Sequence, residues 1–233
     1  MAHNPGTLSV DDVSRRYGRR WALARVTLEI PAGGAWMLLG PNGSGKSTLI
    51  KCLSTRLKCH HGTIRLDGRD LWENRAELRR RIAVLSHASA LYDDLSAREN
   101  LDVWSRLGGH QPDADALLRR VGLEPERPDP VRTYSAGMRK RLALARVLLK
   151  DPEVLLLDEP FTALDPAGRA LLVGVIRELQ EAGTTLVMAT HLPLVAQAIC
   201  PHALVLDAGQ VIYQGLSSEV PADRLGMVEA VGS

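Results

Sequence analysis

The sequence has few cysteines and no cysteine pattern that indicates cross-linking. Only Cys52, Cys59 and Cys200 occur among 233 residues, and no two of them form a CxxC pair. Such a set fits reduced thiols in a cytosol better than a disulfide framework. The 45% apolar content is ample for a packed core without cross-links, in one large domain or two small ones.

Long apolar runs are also missing. No run approaches the roughly 20 residues that cross a bilayer, and even the run Val154–Leu157 stops at Asp158. Residues 1–12 lack the charged and then apolar stretch of a secretion signal. If the protein works at a membrane, we expect another chain to supply the spanning helices.

An excess of charge of one sign is absent as well. The 29 basic side chains nearly balance the 27 acidic ones, so the formal net charge is only +2. This balance gives no electrostatic reason to expect binding to nucleic acid. The basic run Arg79 to Arg81 is interpreted as a solvated helix surface.

What the sequence does contain is an alternation of short apolar runs with helical patterns. This alternation predicts an α/β fold with a mostly parallel, buried sheet. Two apolar runs on either side of residues 207–209 also indicate a β-hairpin. The predicted strands are Trp36–Leu39, Ile82–Leu85, Val154–Leu157, Thr185–Ala189 and Ala203–Leu206.

The stretch from about Ser96 to Lys150 breaks this alternation, because it offers helical patterns and no convincing strand. Ser96 and Glu99 have the spacing of a capping box at the start of one helix. A proline-rich passage, residues 125–130, separates this part from a later helix. We therefore predict a helical subdomain inserted into the α/β core.

A glycine-rich segment follows the strand Trp36–Leu39. It fits the pattern G-x-x-x-x-G-K-[ST] and precedes a helical run. Glycines let the backbone bend tightly and direct its N–H groups at phosphate oxygens, and the helix N-terminus adds a favourable dipole. Lys46 is expected to reach the β- and γ-phosphates of a nucleotide, and Ser47 to bind Mg²⁺. The candidate nucleotide-binding residues are Gly40, Pro41, Asn42, Gly43, Ser44, Gly45, Lys46, Ser47 and Thr48.

Two adjacent acids, Asp158 and Glu159, end the strand Val154–Leu157, at the edge where open α/β sheets bind ligands. Asp158 is placed to hold Mg²⁺, directly or through water, and Glu159 to orient and deprotonate the water that attacks the γ-phosphate. This pair favours hydrolysis over transfer to a metabolite. His191 follows the strand Thr185–Ala189 to the same edge and is a candidate γ-phosphate contact, although a lone histidine is more often structural.

A short polar and glycine-containing stretch, residues 134–141, opens a helix that precedes the carboxylate strand and residues 162–165. With the phosphate loop, this order resembles the ATP-binding-cassette family over nearly the whole chain. The resemblance implies that Ser135 and Gly137, with Ala136 between them, form the signature motif. In the family that motif contacts the γ-phosphate of ATP held by a second subunit, and a helix N-terminus with serine and glycine is a ready anion site.

By the same resemblance, Tyr17 stacks on adenine, Asp165 belongs to a loop that crosses the dimer interface, and His191 is the switch histidine. Two plainer interpretations stay open. Tyr17 is also consistent with core packing, since a single aromatic carries little information. Asp165 before Pro166 also has the pattern of a helix N-cap, a role that is compatible with the first.

The implied fold is a P-loop NTPase (RecA-like) core with a mostly parallel sheet, an antiparallel β portion and the inserted helical subdomain. The implied organisation is one ATPase domain, 1–233, with a nucleotide-binding core at 1–86 and 151–233 and a helical signature subdomain at 87–150. The implied cofactors are ATP and Mg²⁺. The implied partners are separate transmembrane transporter subunits and a second ATPase subunit, as a homodimer that sandwiches ATP. The protein would then lie peripherally on the cytoplasmic side of the cell membrane.

Two departures from the family pattern bear on turnover. The usual signature is LSGGQ, and here Tyr134, Ala136 and Met138 replace three of its five residues. Ala136 is tolerable only where the backbone keeps a negative φ. Where the family has a glutamine after the strand Ile82–Leu85, this chain has His87, whose neutral imidazole can ligate Mg²⁺ or contact the water in a pH-sensitive manner.

His87, the S-A-G signature and the segment 91–101 together resemble the ATPase subunit of the haem exporter of cytochrome c maturation. This resemblance implies haem export, with exporters of drugs, lipids or peptides as alternatives. Cys59, His60 and His61 are interpreted as an exposed loop rather than as metal or haem ligands, because no further ligands stand at metal-site spacing.

Two other classes of function stay open. Soluble members of the family that act on ribosomes or DNA resemble this chain in their cassette, but they carry a second cassette or a long coiled coil, and this sequence has neither. The altered signature also leaves room for an ATP-dependent regulator with negligible turnover.

Overall fold

The computed structural model describes residues 6–86, 90–109 and 113–221. The strands are Leu8–Tyr17 (β1), Arg20–Ile30 (β2), Ala35–Leu39 (β3), His61–Leu66 (β4), Arg69–Asp70 (β5), Ile82–Leu85 (β6), Val154–Asp158 (β7), Thr185–Ala189 (β8), His202–Asp207 (β9) and Gln210–Leu216 (β10). The helices are Lys46–Leu53 (α1), Arg75–Leu78 (α2), Ala97–Gly108 (α3), Ala114–Arg120 (α4), Ala136–Lys150 (α5), Pro166–Glu181 (α6) and Pro193–Gln197 (α7). Single 3₁₀ turns lie at Val131–Thr133 and Ser217–Glu219.

A six-stranded sheet carries the site, with the strand order β10-β9-β3-β8-β7-β6. All neighbours pair in parallel except β9 and β10, which form the predicted hairpin. Every residue of β3 and β8 is buried, which explains why these strands appear as continuous apolar runs in the sequence. All five predicted strands and the mostly parallel sheet are therefore confirmed.

A second, antiparallel sheet has the strand order β2-β1-β4-β5. Its β1 and β2 strands are linked by a hairpin with several register shifts, and β1 also pairs with β4. The antiparallel β portion implied by the family resemblance is thus confirmed. Strand β4 begins at His61, so this histidine belongs to a strand rather than to the loop expected from the sequence.

Between β6 and β7, the described residues form helices and no strand. The capping box at Ser96 is confirmed, because its Oγ accepts from the amide of Glu99 at 3.3 Å and the Glu99 carboxylate accepts from the amide of Ser96 at 2.8 Å. Residues of α3, α4 and α5 share one buried cluster with one face of the six-stranded sheet. The domain boundaries at 86/87 and 150/151 stay a prediction.

The core lies on both faces of the six-stranded sheet. Along β3, Met37 and Leu39 belong to the cluster on the side of α5 and α6, whereas Trp36 and Leu38 belong to the cluster with α1 and the antiparallel sheet. This alternation follows from the two-residue period of a strand. A sheet covered on both faces leaves its strand ends as the places where polar side chains reach solvent.

The basic run after α2 matches the prediction only in part, since Arg79 and Arg80 are exposed but do not lie within a helix. Helix α2 ends at Leu78, so Arg79 to Arg81 lie beyond it. Arg81 forms ion pairs with Asp67 and Glu153, and these hold the pKa of its guanidinium above the usual value. Arg81 therefore joins the residue after β4 to the residue before β7 and is not a solvated surface residue.

Candidate functional site

The phosphate loop, residues 40–48, follows β3 and includes the first residues of α1. Gly40, Gly43 and Gly45 all have positive φ, at 135°, 79° and 115°. A Cβ on Gly40 would lie 2.0 Å from the carbonyl oxygen of Leu206, and one on Gly45 would lie 2.4 Å from that of Ala22. Glycine is therefore required at both positions, for conformation and for space.

The N-terminus of α1 is open for an anion. Gly45 is the N-cap residue and no side chain caps the helix, so the first amides of α1 have no partner within the helix. The hydroxyl of Ser44 is buried and has no hydrogen-bond partner among the described residues. These unsatisfied donors fit a phosphate group, which is the ligand that such a loop and helix dipole favour.

Lys46, the first residue of α1, directs its ammonium group back into the loop. Its Nζ donates to the carbonyl oxygens of Gly40 at 2.6 Å and Pro41 at 3.1 Å. Burial lowers the pKa of Lys46, and the charges of Glu159 and Asp158 act in the opposite direction. The ammonium group is thus placed between the loop and the two acids.

Ser47 and Asp158 meet across the site. The Ser47 Oγ donates to Oδ1 of Asp158 at 2.9 Å, which joins the start of α1 to the last residue of β7. Hydroxyl and carboxylate oxygens are the ligands that coordinate Mg²⁺ in phosphate-transfer sites. The residues present therefore fit the implied cation.

Glu159 and His191 follow the ends of the neighbouring strands β7 and β8. Nδ1 of His191 lies 2.6 Å from Oε2 of Glu159, and the amide of Glu159 donates to the carbonyl oxygen of Ala189 at 2.9 Å. Glu159 has a φ of 50°, in the left-handed region that few residues other than glycine occupy. The side chain of His191 is half-exposed, whereas that of Glu159 is 21% exposed.

The predicted signature residues lie at the start of α5. Ser135 is the N-cap, and its Oγ accepts from the amide of Met138 at 3.2 Å. Ala136 is the first helical residue and its φ is not positive. The requirement for a negative φ, which an alanine in place of the family's glycine imposes, is therefore met. A Cβ on Gly137 would lie 3.5 Å from the carbonyl oxygen of Ala163, which brings this turn close to the loop before α6.

Asp165 is the N-cap of α6, where its Oδ1 accepts from the amide of Gly168 at 2.7 Å. The same oxygen lies 3.6 Å from the guanidinium of Arg141 on α5. The N-cap interpretation of Asp165 is therefore correct, and its exposed carboxylate leaves the interface role open.

Tyr17 lies at the end of β1 and is 49% exposed, with the guanidinium of Arg15 at 5.5 Å from its ring centroid. The core-packing alternative for Tyr17 is therefore wrong. The next strand, β2, contributes the Ala22 carbonyl that lies against Gly45, so the β1–β2 hairpin borders the phosphate loop. His87, the predicted ligand after β6, lies outside the described residues.

Lys140 is one residue that the sequence analysis did not single out. It is only 8% exposed, and its Nζ donates to the main-chain carbonyl oxygen of Glu159 at 3.2 Å. Burial lowers its pKa, and the charges of Asp158 and Glu159 oppose this effect. The signal was present in the sequence, because Lys140 occupies the apolar face of α5, four residues before the buried Leu144.

The comparisons with known proteins agree with this geometry. A family model described as ABC transporter matches residues 23–162, more than half of the chain. The daunorubicin resistance ATP-binding protein DrrA3 of Streptomyces coeruleorubidus is 40% identical over 224 residues, which cover 94% of this chain and 71% of that protein. The Nod factor export ATP-binding protein I of Ralstonia nicotianae is 35% identical over 233 residues, which cover 97% of this chain and 72% of that protein.

Solved structures share the fold. A dimeric ATP-binding cassette in a post-hydrolysis state with ADP and Pi superposes with a TM-score of 0.81 at 26% identity, covering 90% of this chain and 98% of that one. The cbiO1 subunit of an ABC transporter complex from Clostridium perfringens has a TM-score of 0.79 at 30% identity, covering 96% and 93%. The chain therefore belongs to the ABC transporter family as an ATP-binding subunit, an ATPase whose hydrolysis is coupled to transport.

Proposed function

We propose that this ATPase drives an exporter of drug- or antibiotic-type molecules. The observation that carries the proposal is the 40% identity to a daunorubicin resistance protein over 94% of the chain. A linearmycin resistance ATP-binding protein of Bacillus subtilis, 29% identical over 224 residues, points to the same class of cargo. The names of these relatives refer to drug resistance and to Nod factor export rather than to haem, so the haem interpretation lacks their support.

The roles of the site residues follow from their contacts. The open amides of α1 and Lys46 bind the β- and γ-phosphates of ATP, which replace the loop carbonyls as partners of the ammonium group. Ser47 and Asp158 would hold Mg²⁺, whose charge would offset that of the phosphates. Tyr17 stacks on the adenine ring.

Glu159 holds the attacking water and accepts its proton, because its carboxylate follows Asp158 at the carboxyl end of β7 and is not bonded to Ser47, the partner of Asp158. His191 binds Oε2 of Glu159 and so fixes the direction of that carboxylate. The half-exposed imidazole is also free to contact the γ-phosphate through its other nitrogen. His87, which lies outside the described residues, stays a candidate contact to Mg²⁺ or water.

A second copy of the chain completes the site. The start of α5, with Ser135, Ala136 and Gly137, presents helix amides that suit a γ-phosphate, and Asp165 flanks it on α6. The solved dimer with ADP and Pi supports such an arrangement, since this fold is found there in two copies. We therefore propose a homodimer that holds ATP between the phosphate loop of one copy and the signature motif of the other.

Separate membrane subunits couple ATP hydrolysis to transport in this proposal. Among the described residues, no helix is long and apolar enough to cross a membrane. A cavity of about 580 Å³ between β6, α3 and α5 is lined by cations that include Arg79, Arg146 and Lys150. The Arg146 Nε in this cavity is buried without a hydrogen-bond partner among the described residues. We assign this surface to contact with the membrane subunits, on the cytoplasmic side of the membrane.

Transport by the purified complex tests the cargo. The tagged protein is recovered from its native membranes in mild detergent with the subunits that accompany it, and reconstituted into vesicles. We expect Mg-ATP to drive daunorubicin movement, and the matched Glu159→Gln complex to bind ATP without driving it. Haem movement without daunorubicin movement would contradict the proposed cargo, and recovery of ribosomal proteins without any membrane protein would contradict the transporter role.

A further inference from the structure

The backbone of Glu159 is held in an unfavourable conformation by contacts on three sides. Its φ of 50° lies in the left-handed region, which a side chain with a Cβ rarely adopts. The amide of Glu159 donates to Ala189 at 2.9 Å, and its carbonyl oxygen accepts from the amide of Thr162 at 3.4 Å. The remaining contact is the ammonium group of Lys140, at 3.2 Å from the same carbonyl oxygen. Strained residues persist only where the surroundings fix them in this way.

Lys140 is an unusual residue for this place. It is 8% exposed, on a helix face otherwise occupied by residues such as Leu144 and Leu148. Among the described residues it forms no ion pair, although Asp158 and Glu159 are close enough to act on its charge. A buried lysine without an ion pair lowers stability relative to an apolar residue of the same length. We expect such a residue where its hydrogen bond serves the function of the protein rather than its stability.

The position of Lys140 on α5 links the helix of the signature residues to Glu159. Helix α5 begins just after Ser135, so Lys140 stands on the second turn, behind the signature residues. Its Nζ joins this helix by a hydrogen bond to the main chain of the residue that bears the proposed catalytic carboxylate. A shift of α5 would therefore act on the peptide group of Glu159 through this bond.

We propose that Lys140 is a positioning residue, which holds the main chain of Glu159 so that its carboxylate meets His191 and the attacking water. This inference rests on the proposed role of Glu159 and extends it to a second helix. The hydrogen bond of Lys140 goes to the main chain of Glu159 rather than to the phosphate loop. Its loss should therefore slow hydrolysis while leaving nucleotide binding and assembly intact.

The test is the Lys140→Met variant, which keeps the apolar stem and removes the donor. We expect kcat for ATP hydrolysis of the co-purified complex to fall about tenfold, the size of one charge-assisted hydrogen bond, with KM changed less than about twofold. The Lys140→Arg variant, which restores a cationic donor, should recover most of the rate. If Lys140→Met does not fold, Lys140→Leu, which also lacks a donor, is expected to show the same division between kcat and KM.

Leu148→Ala is the matched control on the same helix. Leu148 is 9% exposed and lies two turns after Lys140 on α5, so its truncation leaves a cavity without removing the hydrogen bond to Glu159. We expect this control to lower thermal stability without changing kcat or KM. An equal loss of kcat in both variants would show that Lys140 acts through general stability, and this would overturn the proposal.

A failure of this inference can be told apart from a failure of the proposed function. If the unmutated complex hydrolyses ATP and Glu159→Gln abolishes turnover, the role of Glu159 stands. An unchanged kcat in Lys140→Met would then overturn the positioning role alone. A rise in KM, or loss of the ATP-induced dimer in the Glu159→Gln, Lys140→Met double variant, would also overturn it, because binding would then be affected.

Discussion

One carboxylate oxygen of Glu159 contacts both the imidazole and the main-chain amide of His191. Nδ1 of the imidazole lies 2.6 Å from Oε2 of Glu159, and the main-chain amide of His191 donates to the same oxygen at 3.3 Å. The two residues sit 32 positions apart and meet because β7 and β8 are neighbouring parallel strands. This contact makes the direction of the carboxylate depend on the histidine.

Removal of the imidazole tests that dependence. We expect His191→Ala to lower kcat for ATP hydrolysis about a hundredfold, at the lower end of what positioned acid and base groups contribute. ATP affinity should change little, because the phosphate loop and Lys46 are untouched. Steady-state hydrolysis and binding of a fluorescent ATP analogue measure the two effects. An unchanged kcat would exclude the role given to His191.

The glycines of the phosphate loop make a second prediction. In Gly45→Ala the new Cβ would lie 2.4 Å from the Ala22 carbonyl at a φ of 115°, so we expect a stability loss of about 1–3 kcal/mol and loss of ATP binding. Gly174→Ala on α6 is the control, since nothing lies within 4 Å of its Cβ, and it should stabilise the protein by about 0.5–1 kcal/mol. Thermal unfolding with and without ATP separates the two. Normal ATP binding by Gly45→Ala would refute the assigned geometry.

A third prediction concerns the proposed magnesium site. Mutation of residues that only orient a metal's ligands lowers metal affinity roughly 10–100-fold. Loss of a direct ligand in Ser47→Ala should therefore raise the half-saturating Mg²⁺ concentration at least about tenfold. Ser54→Ala is the control, because its hydroxyl donates to the Lys51 carbonyl at the end of α1, away from Asp158. Hydrolysis measured across a Mg²⁺ titration gives the result. Identical titrations for the two variants would count against Ser47 as a ligand.

Thiol reactivity makes a fourth. A hydrogen bond from Cys52, opposed by burial, lowers the pKa of Cys59, whereas the pKa of Cys52 is raised by that hydrogen bond and by burial. Burial raises the pKa of Cys200 to about 12. Because the thiolate is the reactive form, we expect iodoacetamide at pH 8 to modify Cys59 first in the folded protein. Mass mapping should show all three modified only after unfolding, and early modification of Cys200 would contradict its placement.

Lys150 makes a fifth prediction, on pH and stability. Burial, and then repulsion from Arg146 and Arg79, lower the pKa of Lys150 from 10.5 to about 8. Between these values the unfolded chain keeps a proton that the folded chain has released, so stability rises with pH in this window.

From pH 7.5 to 10, the unmutated protein should gain on the order of 2 kcal/mol of unfolding free energy relative to Lys150→Met. Urea unfolding of both proteins at each pH gives the difference, in which other titrating groups cancel. A difference that does not change with pH would show that Lys150 has an ordinary pKa.

The sequence by itself determined the central sheet and most of the site. Strands such as β3 and β8 are buried on both faces, so their apolar runs are recognisable without any partner. Gly40 to Ser47, Asp158, Glu159 and His191 lie at or just beyond the carboxyl ends of such strands, and these ends share one edge of a parallel sheet. Local pattern and strand direction therefore sufficed to bring these residues together.

Only the tertiary structure decided which groups hold that site in shape. The left-handed φ of Glu159, its hydrogen bond from Lys140 and the ion pairs of Arg81 join segments that are distant in sequence. The burial of Lys140 and the exposure of Tyr17 likewise depend on what packs against them. The spacing of apolar residues along a helix or strand determines which of its faces is buried. The partner of a buried polar group depends instead on how different elements pack together, and that spacing does not encode it.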